Sequence, residues 1–133
     1  MYLMNVDYHT SEAPVYDRIG GYDAIAAIID ELFALMRADS RFARFGAGRS
    51  LDSRQRAQQL TVDLICSVSG GPCYYIGRDM RTSHAGLQIT VSEWDACIEL
   101  TQIALAKHSI GSREAVEFIA LFERYKDEIV ETT

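Results

Sequence analysis

Three histidines are the side chains of this sequence best suited to acid–base chemistry or metal ligation: His9, His84 and His108. None of them has a Ser or Cys context of the kind that a hydrolytic triad uses. The sequence also lacks the motifs GxxxxGK[ST], GxGxxG, HExxH and GxSxG, which bind phosphates, dinucleotides or zinc, or carry a nucleophile. Its acidic residues do not form the paired helical motifs of di-iron bundles. We therefore expect none of these chemistries.

His84 is the most informative histidine because of its surroundings. It ends the short stretch Met80-Arg81-Thr82-Ser83-His84, and apolar residues flank it on both sides. Two interpretations are open at this point. One is a hydrogen-bonded or surface histidine, since histidine is intermediate in burial. The other is the single axial ligand of a haem iron, with the second ring nitrogen held by a backbone carbonyl, because the porphyrin supplies the remaining four nitrogens.

Length and composition indicate a globular protein and exclude several functions. The 133 residues predict one domain, 1–133, which is long enough to bury a core. The net charge of −6 leaves no basic excess to neutralise phosphates, so we expect no nucleic-acid partner. No apolar run approaches the roughly 20 residues of a membrane span, and residues 1–16 are too polar for a signal peptide. We therefore expect no membrane partner.

The cysteines Cys66, Cys73 and Cys97 are odd in number and contain no CxxC pair. This usage predicts free thiols in a reducing compartment, and hence a cytoplasmic protein without a disulfide framework. Cys66 and Cys97 lie in periodic apolar stretches and are predicted to be small core residues. Cys73 lies in a predicted loop. No histidine is spaced from a cysteine as in a zinc finger.

Helical periodicity dominates the segments between the glycine pairs. Apolar residues recur every three or four positions over 22–37 and again over 52–68. A third helix is predicted to begin at Thr90, where Thr90 and Glu93 form a capping box, and a fourth follows Gly111 with Ser112 as its N-cap. Helices joined by short connections predict an all-α domain.

Two segments lack this periodicity. Residues 1–15 are too irregular to assign and are treated as an N-terminal extension. Residues 70–89 predict an extended loop with one or two helical turns near 80–85. A loop of that length inside a compact domain is usually functional.

Three motifs, taken in order, resemble the first group of truncated haemoglobins. They are Tyr16-Asp17-Arg18-Ile19-Gly20-Gly21, Gly70-Gly71-Pro72 with Tyr75 and Gly77, and Met80-Arg81 followed by His84-Ala85-Gly86-Leu87-Gln88-Ile89-Thr90. Their order and spacing match from about residue 16 to residue 130. The resemblance implies a shortened two-over-two helical globin sandwich with a long loop before the proximal histidine. It also implies haem b, iron protoporphyrin IX, with His84 as the proximal ligand.

The resemblance also indicates where this chain departs from the family. The family commonly has a Tyr hydroxyl over the bound ligand, and the matching position here is Phe33. Phe45 matches an aromatic residue beside the haem. The distal helix has two possible registers, because the stretch from Gly48 to Gly70 is longer than usual in the family.

The two registers place different residues beside the haem. Counting back from Gly70 gives a distal set whose members are mostly apolar: Ala57, Leu60 and Thr61, with Leu64 and Ile65 deeper. Counting forward from Gly48 gives Arg54 and Gln58 instead. We prefer the first register, because an insertion fits more easily into a surface connection than into a packed helix.

Three further residues match haem-contacting positions of the family. Met80 and Trp94 match residues that line the haem, and simple core packing is the alternative for both. Arg81 is predicted to pair with a propionate, and a solvated charge is its alternative. In the preferred register Thr61 has the only side-chain hydroxyl near the bound ligand. Its alternative is a hydroxyl that is hydrogen-bonded back to its own helix. His108 is expected at the surface.

The function that the resemblance implies is reversible binding of O₂, CO and NO at a His84-ligated haem iron. One use is O₂ storage, transport or sensing. Another is NO dioxygenase activity, which converts NO and O₂ to nitrate and needs an electron-donating reductase. The alternative is a helical interaction or sensor module that has a globin shape without haem-based gas chemistry. We expect a monomer or a weak homodimer.

Overall fold

The structure is a computed structural model, and it describes residues 12–133. Within these residues it contains eight α-helices and one 3₁₀ turn. They are α1 (Val15–Arg18), α2 (Gly21–Ala38), the 3₁₀ turn Ser40–Phe42, α3 (Ala43–Gly46), α4 (Leu51–Val68), α5 (Met80–His84), α6 (Val91–Lys107), α7 (Ser112–Glu123) and α8 (Lys126–Ile129). Within residues 12–133 the only β pairing is one isolated bridge, between Thr90 and Thr132. The expected all-α class is thus confirmed. His9 and most of the predicted irregular extension lie outside the described residues.

Helix α2 is the centre of the fold. It packs against both α4 and α6, and α6 packs in turn against α7. Its buried face carries Ile25, Ile28, Ile29 and Leu32, each no more than 2% exposed. Phe118 of α7 completes this core. A spacing of three and four positions places these apolar residues on one face of the helix. That face is the one that α4 and α6 cover.

The helix ends follow the local sequence. The capping box before α6 is present, with the Thr90 amide donating to Glu93 at 3.0 Å and the Glu93 amide donating to Thr90 at 3.0 Å. Ser50 caps α4 by accepting from the Ser53 amide. The prediction for α7 was wrong by one residue, because Gly111 occupies the N-cap position and Ser112 is the first helical residue.

The expectation of three free thiols was wrong, because Cys66 and Cys73 form a disulfide with their Cα atoms 5.8 Å apart. Gly70, at φ +101°, and a 2.8 Å hydrogen bond from the Gly71 amide to the Cys66 carbonyl turn the chain back after α4. This turn brings together two cysteines seven positions apart, a spacing that no short motif signals. Cys97 stays a thiol, and burial raises its pKa to about 11.

No helix within the described residues combines the length and the apolar character that crossing a membrane requires.

The disulfide predicts that the fold is less stable under reducing conditions. Closing so short a loop is expected to stabilise the protein by about 2 kcal/mol, chiefly through the unfolded chain. Urea unfolding of the oxidised protein should therefore have a higher midpoint than unfolding with a dithiol reductant. Cys73→Ser is the better variant, because Cys73 is half-buried whereas Cys66 is fully buried. It should match the reduced protein and no longer respond to the reductant. Equal midpoints for the oxidised and reduced proteins, with both thiols shown free by alkylation and mass measurement, would contradict this account.

Candidate functional site

A cavity of about 530 Å³ lies between the long helices and the short α5. Its volume is within the roughly 300–1,000 Å³ of small-molecule and cofactor sites. Most of its lining is apolar or aromatic: Leu32, Phe33, Met36, Phe42, Phe45, Ala57, Leu60, Leu64, Ile65, Met80, Leu87, Ile89, Trp94, Phe122 and Ile129. Helices from both halves of the chain therefore build one apolar chamber.

The predicted site residues gather at this cavity with one exception. The residues that line it are His84, Phe33, Phe45, Ala57, Leu60, Thr61, Leu64, Ile65, Met80 and Trp94. Arg81 is exposed and lies outside the lining. Three other arginines line the cavity instead: Arg49, Arg56 and Arg78. The motif pointed to Arg81, which lies within α5, whereas Arg78 lies on the loop before that helix.

Helix α4 has the register counted back from Gly70. Ala57, Leu60 and Thr61 line the cavity. Arg54 and Gln58 line a separate polar groove between α2 and α4, and Gln58 donates to Asp30 at 2.9 Å. The forward count would have put these two polar side chains in the cavity. The side chains of Ala57, Leu60, Leu64 and Ile65 therefore make much of the α4 wall apolar, and Arg56 and Thr61 are its polar members beside them.

Two hydroxyls of α4 line the cavity, those of Ser53 and Thr61, and the Thr61 hydroxyl is already in use. Thr61 Oγ1 donates to the Ala57 carbonyl at 2.9 Å, which is the bond back to its own helix that competes with other partners. Phe33, on the facing α2, has no donor. Towards the start of α4, Arg49 lines the cavity and donates to the Ser53 hydroxyl at 3.0 Å. Polar side chains also reach the cavity from the loop before α5 and from α6, at Arg78 and Glu93.

His84 closes the cavity at the end of α5 and is half-buried. Its Nδ1 lies 2.9 Å from the Met80 carbonyl and 2.9 Å from the Ser83 hydroxyl, which itself donates to the same carbonyl. A carbonyl only accepts, so Nδ1 carries the proton and donates. Nε2 therefore keeps its lone pair. An imidazole held in this way is the usual form of a metal-ligating histidine.

Several lining residues were not found from the sequence. Tyr75 lies on the loop before α5, its hydroxyl donates to the Arg78 carbonyl, and burial raises its pKa. Gly77 permits this placement, because a Cβ there would collide with the Tyr75 ring. The neighbours Tyr74 and Ile76 are 86% and 78% exposed. Side chains of an extended segment point alternately to its two sides. This alternation was the one signal that could have placed Tyr75 at the cavity.

Comparisons with known proteins agree with this geometry. The chain matches the model of the family described as bacterial-like globin over residues 14–131. It is 35% identical to a group 1 truncated hemoglobin of Nostoc commune over 106 residues, covering 80% of each chain. The group 1 truncated hemoglobin of Tetrahymena pyriformis is 28% identical over 77% of this chain and 80% of its own.

Solved structures show the same fold. The truncated hemoglobin of Tetrahymena pyriformis in its Fe(III) form superposes with a TM-score of 0.81 at 22% identity, covering 89% of this chain and 98% of that one. The 2/2 hemoglobin of Synechococcus gives a TM-score of 0.79 at 20% identity, with 89% and 98% covered.

The chain therefore belongs to the bacterial-like globin family. Within that family its relatives are group 1 truncated haemoglobins, as the sequence motifs indicated. The family implies haem-based gas binding. The cavity fits such a group, because it is apolar, of cofactor size, and bounded by one imidazole whose Nε2 is free to ligate.

The geometry of His84 predicts the effect of removing it. His84→Gly should lose haem during purification, because burial alone would have to hold the group, and added imidazole should restore binding. We would measure haem content and the Soret band with and without imidazole. His108→Gly is the matched control, since His108 lies outside the cavity near Glu31 and should leave the spectrum unchanged. An unchanged spectrum for His84→Gly would mean that another residue is the ligand.

Proposed function

We propose that this chain binds diatomic gases, O₂, CO and NO, reversibly at a haem b whose iron is ligated by Nε2 of His84. The observation that carries the proposal is the hydrogen bond from Nδ1 of His84 to the Met80 carbonyl at the edge of an apolar cavity. A bound haem would supply an iron that can take up a diatomic gas. The side chains of this protein would hold the haem and exclude water from it.

Burial and charge divide the work of holding the haem. The apolar walls exclude water and favour the porphyrin by the hydrophobic effect. Among the described residues, Arg56 and Arg78 line the cavity without forming a salt bridge. We therefore assign the propionates to Arg49, Arg56 and Arg78, since a guanidinium pairs well with a carboxylate. Arg81, which the motif favoured, lies outside the cavity and is not needed for this role.

The residues at the distal positions that the resemblance implies offer no free side-chain donor. Phe33, Ala57 and Leu60 have no polar hydrogen, and the Thr61 hydroxyl is bonded within α4. O₂ becomes partly negative when it binds and gains from a hydrogen bond, whereas CO gains little. Such a bond is worth roughly 1–3 kcal/mol when charge-assisted. This chain therefore favours CO over O₂ more than a relative with a distal Tyr does.

This interpretation predicts a gain from one added hydroxyl. Phe33→Tyr should slow O₂ release about tenfold, since 1.4 kcal/mol is a factor of ten, and should change CO release much less. Stopped-flow measurement of both dissociation rates tests this. Thr61→Val is the matched control, because its hydroxyl is already used inside the helix and its loss should leave O₂ release unchanged. Slow O₂ release in the unsubstituted protein, lost in Thr61→Val or in Arg56→Gln, would instead identify a donor in one of those residues.

The second use, oxidation of NO to nitrate, is weakly supported by the same wall. Fixed donors aimed at developing charge are what accelerate such reactions, and the residues at those distal positions offer no free side-chain donor. We propose O₂ binding as the main activity, for storage, transport or sensing. The reductase, the cytoplasmic location, and the monomer or weak homodimer all stay predictions.

A direct comparison within one scaffold tests the enzymatic use. On rapid mixing of the O₂-loaded protein with NO, the Phe33→Tyr variant should form nitrate faster than the unsubstituted protein. Equal rates would show that no distal donor is needed. A purified protein without a Soret band would instead favour the alternative, a globin-shaped interaction module that does not use haem.

A further inference from the structure

The turn that leaves His84 has little to hold it in place by itself. The four residues after His84, from Ala85 to Gln88, are all exposed, so burial does not fix them. Gly86 and Gln88 have φ values of +84° and +56°, in the left-handed region that a non-glycine residue rarely occupies. Within the turn, the Leu87 amide donates to the His84 carbonyl at a long 3.3 Å. The conformation must therefore be imposed from outside.

Arg44, from α3, holds the carbonyl side of this turn. Its guanidinium donates to the Leu87 carbonyl at 2.7 Å and to the Gln88 carbonyl at 3.2 Å. The same group pairs with both carboxylate oxygens of Glu93 at 2.7 and 2.9 Å, and it holds the pKa of Glu93 at about 2. Its Cζ also lies 4.1 Å from the centre of the Phe45 ring, which lines the cavity. One side chain thus joins the turn to a cavity wall.

Glu131, in the C-terminal tail after α8, holds the amide side. Its carboxylate accepts from the Gly86 amide at 3.1 Å and from the Gln88 amide at 2.8 Å. These two amides lower the pKa of Glu131, so it is a carboxylate at neutral pH. The amides of Glu131 and Thr132 both donate to the Ile89 carbonyl, at 2.8 and 3.1 Å. The tail is therefore bonded to the turn on both its main chain and its side chain.

We propose that Arg44 and Glu131 are positioning residues for His84: together they clamp the turn 85–89 and so fix the direction in which the imidazole meets the haem iron. The proposal rests on the proposed function, since it concerns the ligation of haem by His84. Neither Arg44 nor Glu131 lines the cavity, and both bond to main-chain groups of the turn. Releasing either one should let the end of α5 move and weaken the ligand bond.

The test uses the full haem-loaded protein and the variants Glu131→Gln and Arg44→Lys. Glu131→Gln removes the charge but keeps the shape, and Arg44→Lys keeps the charge but loses the fork that bonds two carbonyls and a carboxylate. We expect amide hydrogen exchange at Gly86 and Gln88 to accelerate in the CO-loaded form. We also expect haem transfer to excess apomyoglobin to accelerate about tenfold, as for other residues that orient a metal ligand. The iron–histidine stretching band of the ferrous protein should shift.

Two controls separate positioning from general stability. Arg41→Lys alters an exposed arginine with ion pairs to Asp39 and Glu99, and Glu128→Gln alters a glutamate of α8 near the same tail. Neither Arg41 nor Glu128 bonds to the turn, so both controls should keep the band and the rate of haem loss. Urea midpoints of all the variants would show whether a loss of global stability accounts for the changes.

The outcomes distinguish this proposal from the one on which it rests. Faster exchange at Gly86 and Gln88, with haem loss and the iron–histidine band unchanged, would overturn the positioning role. So would changes that appear equally in the control variants. Absence of a Soret band from the unsubstituted protein would overturn both proposals, whereas a normal Soret band with unaltered haem loss in both variants would overturn the clamp alone.

Discussion

The hydrogen bond from Nδ1 of His84 to the Met80 carbonyl is the interaction on which the site depends. It joins the first and last residues of α5, so a helix of five residues is sufficient to hold the imidazole. It also decides the tautomer, because the proton on Nδ1 leaves the lone pair on Nε2. The rest of the fold brings an apolar chamber to that nitrogen. Helices α2, α4 and α6 supply its walls, and the loop between α4 and α5 closes its edge through Tyr75.

The chamber is lined by apolar side chains together with a smaller number of polar and charged ones, and under the proposed function both kinds would act on the bound group. Three arginines line the chamber: Arg49, Arg56 and Arg78. Their guanidinium groups could pair with the carboxylates of a cofactor. Phe33 and Ala57 also line the chamber and have no hydrogen-bond donor on their side chains, and the Thr61 hydroxyl is bonded to its own helix. Under the proposed function, these arginines would hold the propionates of the haem, whereas a bound gas would find no free donor on Phe33, Ala57 or Thr61.

Local patterns predicted much of this arrangement because the forces behind them are local. The capping box of Thr90 and Glu93 needs only residues three apart, and it is present as predicted. The apolar stripe of α2 follows from helical periodicity and is buried as predicted. The preferred register named residues of α4 that line the cavity, since a helix fixes which side chains share a face. Gly70 was the better reference point: it follows the Ser69 C-cap of that helix, and the count back from it gives the residues that line the cavity.

What the sequence determined by itself is therefore the main helices and their apolar faces, whereas His84 as a haem ligand stays a prediction that the family resemblance supplied. Contacts between distant segments were decided only by the tertiary structure. Cys66 and Cys73 meet because two glycines reverse the chain between them, and no motif marks that pair. Arg44 and Glu131 are 87 positions apart by their numbering and converge on one turn, although each looks like an ordinary surface charge in the sequence. The physical reason is range: periodicity and capping act within a few residues, whereas the direction of a loop and its bonding partners depend on how whole helices pack.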